Sequence, residues 1–171
     1  RIGRELVSHL AAIDTANTYS LFHSANYDDS DYTWLSGFPD NFRILRLPWG
    51  RKVLRSIGIL GIGGRLCRPH LPDEIDVYCS LSSLLLPVEA KRRMGMIWDL
   101  HIFDHPIANP ARDVIVGRLE VSSLVRRADT ILTISQDSRR RILARWGLPP
   151  EMVSVVYGGV RPDILFQQDN E

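Results

Sequence analysis

The stretch from Ala128 to Val160, ADTILTISQDSRRRILARWGLPPEMVSVVYGGV, leaves this chain few folds to choose from, because it reads as strand, helix and strand. Thr130 to Ile134 is rich in β-branched and apolar residues, as a strand buried on both faces of a parallel sheet should be. Ser135 is an N-cap whose hydroxyl can accept from a backbone N–H two or three residues on, and Asp137 sits in the positive first turn of the helix. Ile142, Leu143 and Trp146 recur at helical spacing and leave Arg139, Arg140 and Arg145 to water. Gly147 stops the helix, and Pro149 and Pro150 prevent it from resuming. Val153 to Tyr157 is the second strand, and it breaks at Gly158 and Gly159. Two apolar strands joined by one helix run parallel, with a right-handed crossover in nearly all cases. The fold class is therefore α/β.

The preceding residues alternate in the same way. Ile2, Leu6 and Leu10, with Val7 beside them, form one helix stripe over Arg1 to Ala12. Tyr19 to Phe22 is a strand, and Asn26 to Asp31 is a polar loop. Phe42 to Leu47 is the next strand, ended by Pro48, and Arg51 to Leu60 is helical. Gly58, Gly61, Gly63 and Gly64 lack both the Lys-Ser/Thr ending of a phosphate loop and the dinucleotide spacing, so they predict a flexible helix end or hinge. Strands follow at Asp76 to Leu81 and Met94 to Leu100. Pro110 to Arg127 is a loop and a helix, with Val114, Leu119, Val121, Leu124 and Val125 available for a buried face.

Ligands of open parallel sheets gather outside the carboxyl ends of strands, which places Ser80, Ser82 and Ser83 as sugar-contacting candidates; ordinary turn chemistry is the competing account. Trp98-Asp99-Leu100-His101, followed by Phe103-Asp104-His105-Pro106, is the segment richest in reactive side chains. A metal site among Asp99, His101, Asp104 and His105 is disfavoured, because no further ligand is spaced to complete a first shell.

The order Ala-Asp, apolar strand, Ser, two polar residues, Ser, helix, Gly-x-Pro, apolar strand, Gly-Gly-Val resembles the end of the N-terminal domain in family 4 glycosyltransferases of GT-B architecture. The similarity runs from Arg1 to about Phe166. It implies a Rossmann-like, doubly wound parallel sheet with helices on both faces over residues 1–160, and the start of an interdomain linker over 161–171. In that family a strand ending His-Asp-Leu faces the acceptor, and here the triplet is Trp98-Asp99-Leu100. The resemblance makes Asp99 the catalytic candidate and Ser135 an acceptor-binding one, to be joined by Ser80, Ser82 and Ser83 from their strand end and by His101, which either partly compensates for the tryptophan or is only a loop residue. No cofactor is implied, since the nucleotide-sugar donor is held mainly by a C-terminal domain.

The same resemblance puts a first strand and a glycine-rich turn ahead of RIGRELVSHL, with Arg1 following the missing glycines. The chain starts in mid-pattern, without an initiating methionine, and reads as a piece of something longer. The first, central strand is then absent, so the sheet is expected either to break between the Tyr19 and Val77 strands or to draw them together.

A chain of 171 residues, 44% of them hydrophobic, builds one sizeable core. Twenty-one basic against twenty acidic residues argue against a nucleic-acid binder. The runs at Lys91-Arg92-Arg93, Arg126-Arg127 and Arg139-Arg140-Arg141 read as solvated faces, with phosphate of a nucleotide sugar or of anionic lipid as the alternative. Cys67 and Cys79 have no metal-ligand spacing and read as reduced cytoplasmic thiols. The expected function is the acceptor-binding half of a retaining transferase. It moves a mannose- or glucose-type hexose from a nucleotide sugar to a glycan or lipid-linked acceptor, with peripheral association at the inner face of the membrane. The alternatives are a non-catalytic sugar- or protein-binding module and half of a nucleotide-sugar epimerase.

Overall fold

The computed structural model describes residues 2–26 and 37–159. In chain order the elements are α1 (Ile2–Ile13), β1 (Tyr19–His23), β2 (Phe42–Arg46), α2 (Arg51–Leu60) and the short α3 (Gly64–Cys67). There follow β3 (Val77–Ser80), β4 (Arg92–Met96), the short α4 (His101–Asp104), α5 (Ala111–Arg127), β5 (Thr130–Thr133), α6 (Gln136–Trp146) and β6 (Val153–Val155). Arg1, most of the loop after Asn26 and the linker expected at 161–171 lie outside the described residues.

Every strand pair among the described residues is parallel, β4-β5 and β5-β6 being joined through helices α5 and α6, and the helices flank the sheets in a Rossmann-like arrangement. The order is β1-β2 in one sheet and β3-β4-β5-β6 in the other. Among the described residues β1 and β3 share no ladder, so the sheet is interrupted where the doubly wound order puts its first strand. The Tyr19 and Val77 strands are not drawn into pairing. They meet through side chains instead: the Phe22 ring stacks on Tyr78 with centroids 5.6 Å apart. Tyr78 is buried and accepts from the Leu86 N–H at 3.1 Å, and burial pushes its phenol up to about 12.

Leu47, Leu85, Ile97, Leu124, Ile131 and Ile142 are fully enclosed and form the centre of the core. Helix α5 contributes Val114, Val121, Leu124 and Val125, but Leu119 is 48% exposed, so the buried face is narrower than its apolar positions predict. Ser123 takes a core position instead, because its hydroxyl donates to the Gly58 and Ile59 carbonyls at 2.9 Å.

The glycine cluster ends α2, as expected, and it also serves packing. Gly61 ends α2 in the left-handed region at φ 67°, with its N–H bonded to Ile57 O. A Cβ on Gly58 would overlap Leu84, and one on Gly64 would come within 2.5 Å of the Pro87 carbonyl. Both positions let the segment between β3 and β4 lie directly on the backbone of α2 and α3.

The basic runs are mostly solvated, since Lys91, Arg92, Arg126, Arg140 and Arg141 are exposed, but Arg93, Arg127 and Arg139 are half-buried and bonded. Arg127 donates to the carbonyls of Gly58 and Leu85, while Arg139 reaches Val153 O and Pro150 O, each at 2.8 Å. Lys91 pairs with Asp76, and Arg93 pairs with Asp129. Asp129 also accepts from the Arg93 N–H at 2.8 Å, and its own N–H donates to Arg93 O. These bonds stitch the start of β4 to the approach to β5. The Arg93 side chain, and then its backbone N–H, hold the Asp129 carboxyl below its usual range.

Because the folded pKa lies below the unfolded one, this stabilisation is complete above the ordinary value of 3.8 and fades as pH falls through the depressed one. Asp129→Asn should therefore cost about 1 kcal/mol at pH 7. Urea midpoints of the two proteins should converge as pH falls below that ordinary value, and an offset independent of pH would assign the loss to packing.

Candidate functional site

The carboxyl ends of β3, β4 and β5 stand side by side, because these strands are sheet neighbours in that order. From β3 comes the serine turn. Ser80 Oγ donates to Leu84 O at 2.7 Å, and the Leu84 N–H reaches Ser82 Oγ at 3.3 Å. Ser80 and Ser82 are thus engaged in the turn itself, and Ser83 is half-buried beside them.

From β4 comes the Trp98 to His101 segment. The Trp98 indole N–H donates to Leu81 O at 3.2 Å, so the residue standing for the family histidine ties the β4 end to the serine turn. Asp99 is exposed, and its Oδ1 accepts from the His101 N–H at 2.9 Å. That bond closes the turn that opens α4. Among the described residues Asp99 makes no other hydrogen bond, which leaves its second oxygen open to solvent and to a ligand. His101 is exposed at the start of α4, with its ring 5.7 Å from that of His105.

From β5 comes Ser135. Its Oγ accepts from the Ser138 N–H at 3.0 Å and donates to Ser138 Oγ at the same distance, so it caps α6 as its type and place predict. Asp137 is in the first turn and pairs with Arg140 at 2.9 Å.

Two links connect these ends. Trp98 joins the serine turn to the Asp99 segment. An ion pair between Arg141 and Asp104 joins α6, the helix behind Ser135, to α4, the helix behind His101. Arg141 also lies 3.6 Å from Asp137. Behind this pair the Arg145 guanidinium sits 4.1 Å from the Phe103 ring centroid, and Phe103 meets Trp146 edge-on. The bridging role of Arg141 is missing from the sequence reading, although its four-residue spacing from Asp137 is a visible signal for half of it. Among the described residues no three His, Cys, Asp or Glu side chains converge as a metal site.

The sequence model of Glycosyltransferase Family 4 matches residues 5–164. The chain belongs to glycosyltransferase family 4. Searches of curated proteins and of solved structures find no match to it. As a family 4 glycosyltransferase domain it serves sugar transfer between a donor and an acceptor, and the match takes in the six strands of the described residues and the three strand ends described above. Among the described residues of this family 4 domain no helix is long and apolar enough to cross a membrane.

Proposed function

We propose that this family 4 domain is the acceptor wall of a retaining hexosyltransferase that moves a mannose- or glucose-type unit from a nucleotide sugar to a glycan or lipid-linked acceptor. The observation that carries this reading is the family match across residues 5–164. The site supports it with an exposed carboxylate, Asp99, at the end of β4, one oxygen of which is free to take a hydrogen bond from an acceptor hydroxyl. Asp99 has the catalytic role, orienting that hydroxyl and drawing on its proton. His101 and Ser135 flank it from α4 and from the cap of α6, and the serine turn borders it on the β3 side.

A second domain supplies the donor. Such catalysis rests largely on holding two reactants in line, an effect worth up to roughly 7–11 kcal/mol, which one wall cannot deliver alone. The protein works in the cytoplasm, at the inner face of the membrane where its acceptor is lipid-linked.

Residues 1–171 alone should therefore turn over no nucleotide sugar. Joined to a sugar-nucleotide-binding domain, they should support transfer that Asp99→Asn lowers about tenfold or more, the effect of losing one charge-assisted hydrogen bond. Asparagine keeps an oxygen for the His101 N–H, so the melting temperature should not move. Product formation by the asparagine variant at the parent rate would remove Asp99 from the acceptor wall.

A further inference from the structure

From Asn41 to Pro72 the chain carries seven lysines and arginines and no carboxylate. Part of this stretch encloses a surface groove of about 370 Å³ along β2, a strand with a neighbour on one side only among the described residues. Arg43, Arg46 and His70 supply its polar lining, and Leu45, Pro69 and Pro72 supply apolar wall.

Each polar head is held by one tether. Arg43 Nε donates to Ser20 Oγ at 2.8 Å, and one terminal nitrogen of Arg46 donates to Ala25 O at 3.3 Å. The His70 ring stands edge-on to Trp49, with centroids 5.3 Å apart. Neither guanidinium has a carboxylate partner among the described residues. The remaining donors of two orientated forks are thus left without an anion. Arg51, Lys52 and Arg55 on α2 differ, because they border another depression that already contains Asp113 and Glu120, and Arg55 is paired with Glu120 at 2.6 Å.

We propose that this groove binds a phosphate ester, held by Arg43 and Arg46 together with His70. A carboxylate can occupy one guanidinium fork, whereas the three terminal oxygens of a phosphate monoester can engage two forks and an imidazole N–H. The volume falls in the usual range of small-molecule sites and leaves room for an organic portion against Leu45 and the two prolines. The groove lies along a strand of the other sheet from β4 and β5 and shares no residue with the strand ends described above, so the inference does not rest on the acceptor reading.

The test is calorimetric titration of the full chain with inorganic phosphate at fixed ionic strength, with vesicles carrying phosphatidic acid as a second arm. Saturable phosphate binding should weaken at least tenfold in Arg43→Gln/Arg46→Gln. Arg51→Gln/Lys52→Gln removes the same charge from α2 and should stay within about twofold of the parent. Should the first variant not melt cooperatively, Arg43→Lys keeps the charge, loses the fork and should still weaken binding at least threefold. If vesicle binding depends on Arg43 and Arg46, the phosphate belongs to a lipid headgroup; if it does not, the ligand is soluble. No saturable binding by the parent chain, or equal losses in the two double variants, overturns the proposal.

Discussion

Arg127→Met should lower the unfolding free energy by about 3 kcal/mol, seen as a fall in Tm of roughly 6–12 °C for a domain of this size. Arg127 lies at the C-terminal end of α5 and clamps two other segments, donating to Gly58 O in α2 and to Leu85 O in the crossing between β3 and β4. Its Nε also returns to Ser123 O at 3.3 Å. Methionine fills comparable space but strands the Leu85 carbonyl, and an orphaned buried acceptor costs about 1–3 kcal/mol. It also leaves Gly58 O to Ser123 alone. A partial offset exists, because one terminal nitrogen of Arg127 is buried without a partner and burial already pulls its pKa down. Arg127→Lys keeps one cationic donor and should recover part of the loss. A methionine variant that melts with the parent would mean that the clamp is idle.

The other large effect is a gain. An apolar parallel strand and a glycine turn, appended ahead of α1, should raise Tm by about 10 °C. At the interruption, the facing edges of β1 and β3 carry N–H and C=O groups that no other described strand pairs. An inserted strand would satisfy them and convert two sheets into one, with the order β2-β1-insert-β3-β4-β5-β6. Each buried aliphatic side chain adds roughly 1.5–3 kcal/mol, against about 1–2 kcal/mol per residue of backbone ordering, so five residues leave a net gain of a few kcal/mol. Calorimetry on the extended chain reads it directly. An unchanged Tm would show that the Phe22 and Tyr78 contact already seals the interruption.

What was legible in the sequence was local or periodic. Ser135 and Gly147 announce the ends of α6, Pro48 closes the approach to α2, and the apolar runs locate all six strands within a few residues. The break between β1 and β3 is one of the two outcomes that the doubly wound order left open, the other being that those strands close up. What escaped depends on partners far along the chain. Arg139 looks solvated in a helical projection until the loop at Pro150 is folded against it. Leu119 fits the apolar stripe of α5, yet it is half-exposed. Gly95 gave no sequence signal at all, although a Cβ there would come within 2.5 Å of Leu124. The serine turn shows the same limit at the site: its hydroxyls look available until Ser80 is seen bonded to Leu84 O.

Trp98 gives this domain an optical property. Its half-buried indole is hydrogen-bonded to Leu81, one residue past the end of β3, so its emission senses the polarity and motion of the serine turn. Trp49 and Trp146 have other ring neighbours, His70 and Phe103. With Trp34, Trp49 and Trp146 replaced by phenylalanine, a molecule settling on the strand ends would change the fluorescence of Trp98 alone, and occupancy could be followed without a label.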